Sequence, residues 1–247
     1  MAHLAHYREA HPMPFVITHW INLVAMILLI ITGFSIHFPF WGGFMGIARG
    51  VHVFLGFVLF INCIVRVIMA FFVKSAPDGG TRYQVTDYKT WLPQADNRHQ
   101  LGAWIRYYLF FKKDHPLGAK LGVPQKISYL AIPILIIVMF YTGLALWAPT
   151  MNWAFFAAGT DLVGGLMSMR IIHYFMMYIF ICFMLIHIYL ANIEGISPTL
   201  LMFFWKEHGG LVYDIFLANN GNEYRGVIHA NHNSGSSLTS HHAGFQS

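Results

Sequence analysis

Charge is scarce in this chain. Only 10% of its 247 residues are Asp, Glu, Lys or Arg, against about 25% in a soluble domain. No Asp or Glu falls within any of its four long apolar runs. Cysteine is nearly absent: Cys63 and Cys182 both lie inside those runs, which argues against a disulfide and leaves too few thiolates for an iron–sulfur cluster, which usually takes four. The weak alternating segments of about ten residues that build a transmembrane β-barrel are also missing. What remains is a chain that is 57% hydrophobic, with mean hydropathy +0.54. Its apolar runs exceed the roughly 18 residues needed to cross a bilayer. The fold class expected is all-α, an integral membrane four-helix bundle. The +5 charge does not point to nucleic acid, because topology accounts for where the charges lie.

The expected spans are residues 15–36, 49–73, 127–148 and 169–192. The chain opens polar and histidine-bearing (MAHLAHYREAHP), and its first apolar segment has full spanning length with no small-residue cleavage site before it, so a cleaved signal peptide is not expected. The stretch from Lys74 to Lys126 holds Lys74, Arg82, Lys89, Arg98, Arg106, Lys112, Lys113, Lys120 and Lys126, whereas the other two connections carry basic residues only at their edges, Arg49 and Arg170. The excess of positive charge places this long loop, and with it both termini, in the cytoplasm. Within the loop, residues 101–111 (LGAWIRYYLFF) are aromatic and flanked by Arg98, Lys112 and Lys113, the signature of an interfacial helix. Three regions follow: a membrane domain over 1–195, a cytoplasmic extension over 196–228, and a tail over 229–247, rich in Asn, Ser, Gly and His, that is expected to be disordered.

Four histidines lie within the spans: His19, His52, His173 and His187. The last two are 14 residues apart on one run, which on a helix puts them within about 40° of one face and about 21 Å apart along the axis. Alternating helix direction then sorts the four by depth. His19 and His187 fall on the cytoplasmic side, His52 and His173 on the outer side. A lone intramembrane histidine can be a helix–helix hydrogen bond or part of a proton path. Two pairs at matched depths, with one helix serving both, is what two stacked bis-histidine haems require. A bare transition-metal site would usually add carboxylates or thiolates. No C-x-x-C-H occurs, so covalent haem attachment is not expected. A transporter or His-relay proton channel is the competing class, although the paired broken helices of transporters are missing.

A faint internal repeat accompanies the pairs. Thr32-Gly33 is followed by Arg49-x-x-His52, and Thr142-Gly143 by Arg170-x-x-His173. An arginine one turn from each outer histidine could pair with a haem propionate or simply reach the interface. The repeat breaks at the inner depth. Arg66 stands 14 residues after His52, and Tyr129 stands 13 before Thr142. A buried Arg66 needs an anion, and with no carboxylate in the spans an inner-haem propionate is the partner expected. Gly33, Gly56 and Gly143 leave room for flat rings or for neighbouring helices.

The residues that carry these patterns are Thr18-His19-Trp20-Ile21-Asn22, Ile31-Thr32-Gly33-Phe34, Arg49-x-x-His52, Arg106-Tyr107-Tyr108-Leu109-Phe110, Tyr141-Thr142-Gly143, Arg170-x-x-His173 and His187-Ile188-Tyr189-Leu190-Ala191. Over about residues 10–195 the chain resembles the cytochrome b subunits of membrane-bound respiratory nickel–iron hydrogenases, and more broadly the gamma subunits of formate dehydrogenases. The resemblance implies a bacterial cytoplasmic (inner) membrane protein holding two haem b groups. Its partners would be an iron–sulfur small subunit and a catalytic large subunit on the outer face, with menaquinone or ubiquinone as electron acceptor. A formate dehydrogenase or thiosulfate reductase on the same scaffold would change the partner but not the sites. A quinone site needs a few polar groups in an apolar cleft, and Asn22, Trp104, Tyr108, Tyr189 and Asn192 are the candidates near the inner pair. The chain has no nucleophile–base constellation of its own.

Overall fold

The computed structural model describes residues 11–39, 42–75, 84–91, 101–111, 123–193, 196–204, 212–217 and 224–229. Four of its helices are long and apolar enough to cross a membrane. They are α1 (Met13–His37), α2 (Met45–Phe72), α5 (Val123–Leu146) and α7 (Leu166–Ile193). Each starts two to four residues before its expected span. Pro14 sits in the first turn of α1, where a missing N–H costs nothing. Lys126 lies inside the first turns of α5 and is buried rather than marking its border.

The four spans pack in antiparallel neighbours, α1 on α2, α2 on α5 and α5 on α7. The core at mid-depth takes side chains from all four: Ala25 and Met26, Leu59 and Cys63, Ile136, and Phe180. Outward positions such as Ile17, Val24, Ile61, Ile134, Ile137 and Leu185 are exposed, as lipid-facing positions should be. α7 runs 28 residues without Gly or Pro. α5 carries Pro133 in its interior, which removes one backbone donor there.

The connection between α5 and α7 contains a short helix, α6 (Ala154–Leu162). It closes on two left-handed glycines, Gly164 (φ +92°) and Gly165 (φ +102°). Gly165 N–H donates to Thr160 O at 2.8 Å and Gly164 N–H to Asp161 O at 3.1 Å, the paired bonds that end a helix when the residue after its cap has positive φ.

In the long loop, β1 (Lys74–Ser75) pairs antiparallel with β2 (Val85–Thr86) and leads into α3 (Tyr88–Trp91). Within residues 101–111, where an interfacial helix is expected, the chain forms α4 (Leu101–Tyr108). Beyond the bundle, α8 (Ile196–Phe204) returns to α1, where Trp20 Nε1 donates to Met202 O at 2.8 Å. A hairpin of β3 (Val212–Leu217) and β4 (Tyr224–His229) follows. It takes in His229, the first residue of the expected disordered tail; the remainder of that tail lies outside the described residues.

Candidate metal centres

Histidine rings meet at both ends of the bundle. At one end His19 of α1 faces His187 of α7, with ring centroids 6.2 Å apart. At the other, His52 of α2 faces His173 of α7, also at 6.2 Å. These are the two pairs that depth alone predicts. The spacing is too wide for a hydrogen bond between rings. It suits one metal atom between two ring nitrogens: two bonds of about 2 Å, plus about 1 Å from each nitrogen to its ring centre, sum to about 6 Å.

The donor set narrows the metal species. Among the described residues no cluster of three or more His, Cys, Asp or Glu could hold an ion. Two opposed imidazoles with no third protein donor leave the equatorial positions to the ligand itself. A planar tetradentate macrocycle meets that need, and haem iron commonly takes histidine as an axial ligand.

The pair of His52 and His173 is tightly built. Thr32 Oγ1 lies 2.9 Å from His52 Nδ1, and Thr142 Oγ1 lies 2.8 Å from His173 Nδ1. With Nδ1 engaged, Nε2 of each ring is the nitrogen left for a metal. The following glycines clear the space beside the same rings. A Cβ on Gly33 would lie 3.5 Å from His52 Cε1, and one on Gly143 would lie 3.2 Å from His173 Cε1. The Thr-Gly repeat thus has a geometric meaning: the hydroxyl orients a ring and the glycine admits it. The pair of His19 and His187 is built differently. His19 Nδ1 is buried with no hydrogen-bond partner among the described residues, and His187 stacks on Phe183 at 5.7 Å.

The model for prokaryotic cytochrome b561 matches residues 10–205. The chain belongs to that family. The match spans all four membrane helices and all four histidines. Its members are membrane cytochromes b that bind haem b and transfer electrons, and the opposed imidazoles fit such a group. No curated protein shows significant similarity to the chain.

The remaining candidates fall into three places. Arg49 and Arg170 are exposed, one turn from His52 and His173. Trp104, Tyr108 and Tyr189 come together: Tyr189 Oη donates to Tyr108 O at 2.8 Å, and the Trp104 and Tyr108 rings lie 5.3 Å apart. Asn192 is bonded to its own helix, donating to Ile188 O at 2.7 Å. Asn22 is held elsewhere, between α1 and α2, where its Oδ1 accepts from Asn62 Nδ2 at 2.6 Å. Asn62 also donates to Thr18 O at 2.8 Å. It lines an apolar groove of about 250 Å³ with Ile21, Val58, Ile61 and Val65. Sequence reasoning passed over Asn62, although an asparagine deep in a span needs a hydrogen-bond partner as much as a histidine does.

Arg66 requires a correction. Its anion comes from the chain: Nη2 donates to Asp87 Oδ2 at 2.9 Å. Asp87 is fully buried and also accepts from Ser75 Oγ at 2.7 Å and from Trp91 Nε1 at 3.0 Å. The guanidinium lies over the Phe15 ring at 3.8 Å, with Trp91 and Tyr129 further out. Counting only the spans hid this carboxylate, because the pairing of β1 with β2 brings it back onto the bundle. The argument that Arg66 needs a propionate therefore falls, although its Nη1 is buried and unbonded among the described residues.

Proposed function

We propose that this chain is the membrane anchor and di-haem electron-transfer subunit of a respiratory nickel–iron hydrogenase. In that role it passes electrons from an iron–sulfur subunit on the outer face to the membrane quinone pool. The observation that carries the reading is the pair of 6.2 Å histidine gaps, both closed by α7. His52 and His173 hold the outer haem, His19 and His187 the inner one. Each haem, when bound, supplies a one-electron carrier; the protein supplies position and electrostatics. Arg49 and Arg170 offer charge at the outer surface to propionates. The basic loop stands on the cytoplasmic side, with both termini. Of the five groups proposed for quinone near the inner haem, Trp104, Tyr108 and Tyr189 stand together, while Asn22 is engaged by Asn62 and Asn192 by its own helix. The hydrogenase branch is supported by the Arg106-Tyr107-Tyr108 segment of α4, which resembles that of the hydrogenase subunits.

Haem quantitation with a reduced-minus-oxidised spectrum tests the reading on the purified chain. Two non-covalent haems per chain are expected. His173→Ala and His187→Ala should each leave one, and not the same one. A chain without haem, or two variants that lose the same haem, refutes it. Hydrogen should reduce both haems in native membranes, and fail to do so once the hydrogenase subunits are deleted.

A further inference from the structure

The threonines beside the outer histidines do more than orient them, and proton counting shows why. Thr32 Oγ1 lies 2.7 Å from Leu28 O and 3.2 Å from Leu29 O, so its single proton is committed to a backbone carbonyl. Toward His52 Nδ1, 2.9 Å away, the hydroxyl oxygen can then only accept. Thr142 repeats the arrangement: its Oγ1 donates to Met139 O at 3.0 Å and lies 2.8 Å from His173 Nδ1, toward which it can then only accept. That assignment puts the proton of both rings on Nδ1 and leaves Nε2 bare, the tautomer that also lets His52 donate to Leu29 O and His173 to Met139 O.

The inner end lacks this device. Thr18, adjacent to His19, turns its hydroxyl to Phe15 O at 3.0 Å, and His19 Nδ1 has no partner among the described residues. A hydroxyl already donating to a carbonyl is a polarised, stronger acceptor. An Nδ1–H bonded to it makes the imidazole a more basic ligand, and a more basic ligand favours the oxidised metal.

We infer that Thr32 and Thr142 set the potential of the outer haem, holding its reduction potential below that of the inner one. The inference rests on the di-haem reading above. It gives the bundle a built-in direction: an electron entering at the outer end moves downhill toward the end that holds His19 and His187. The Thr-Gly repeat occurs where that bias is needed and is absent at the inner pair.

Redox titration of the purified full-length chain, with haem quantitation, tests this. His187→Ala, which keeps the outer pair, assigns the outer transition. In the wild-type chain the outer haem should titrate below the inner. Thr32→Val and Thr142→Val should each shift the outer equilibrium about threefold toward the reduced form, about 30 mV for one electron. The double variant should shift it about tenfold, about 59 mV. The inner transition should stay in place. Thr32→Ser and Thr142→Ser, which keep the hydroxyl, should titrate like the wild type. An outer potential at or above the inner one in the wild-type chain overturns the inference, a result that holds even if the valine variants lose haem. So do valine variants that retain two haems at unchanged potentials, or serine variants that shift as far as valine. A wild-type chain with fewer than two haems refutes instead the di-haem reading.

Discussion

Asp87→Asn removes one charge and almost no volume from the end of the bundle that holds Arg66. The structure sets the cost. Asp87 is fully buried, the Arg66 side chain is 17% exposed, and their atoms are 2.9 Å apart. An exposed pair at this distance contributes at most about 1 kcal/mol. Breaking a buried pair by removing one partner costs about 3–5 kcal/mol, because the charge left behind has nothing to offset its desolvation. Asn also brings an NH2 group into a site where Arg66, Ser75 and Trp91 all donate, and an unsatisfied buried donor costs about 1–3 kcal/mol. The two contributions overlap, so about 4 kcal/mol is expected for Asp87→Asn. Arg66→Met should cost a similar amount. The double variant should lose far less than the sum, with a coupling of at least about 2 kcal/mol. The assay is equilibrium unfolding of the purified chain in mixed micelles, followed by circular dichroism and the haem spectrum together. Additive losses, or an Asp87→Asn variant within about 1 kcal/mol of wild type, refute the pairing argument. Arg66→Met alone should then shift the inner haem, which would return a propionate as the partner of Arg66.

Gly143→Ala places a methyl 3.2 Å from His173 Cε1 while Thr142 holds that ring, so the haem proposed for His52 and His173 should bind several-fold more weakly, an overpacking cost of about 1 kcal/mol or more. Gly33→Ala meets His52 Cε1 at an ordinary 3.5 Å and should leave haem content unchanged; haem titration of the two variants side by side checks the contrast. Trp20→Phe deletes the bond to Met202 O, and the loss of about 1 kcal/mol should appear as faster amide hydrogen exchange in α8, with haem content unchanged.

The spans could be read from sequence because crossing a bilayer demands length and apolarity together, and few other structures do. The histidine pairing could be read because helix direction converts position in the chain into depth. The helix over residues 154–162 escaped notice. It is too short to span, and the Gly164-Gly165 pair that closes it has the look of a plain chain break until its backbone bonds are seen. Asp87 was invisible for another reason. Its contact with Arg66 crosses 21 residues and rests on a two-residue strand pair, and hydropathy carries no trace of that. Thr32 and Thr142 were visible as a repeat, but their role depends on hydroxyl and ring orientations that only side-chain geometry supplies.

The unbroken run of α7 has a mechanical consequence. Lipid thickness and bundle tilt can change how the four spans cross, and α5, interrupted at Pro133, can bend. The 14 residues from His173 to His187 sit on a single helix without Gly or Pro, and its backbone bonds fix their separation at about 21 Å. One helix thus serves as a ruler for both sites. On the proposed function, the tunnelling distance between the carriers is insulated from the bilayer around them, and the same bundle could work in membranes of different thickness, or beneath different partners, without being retuned.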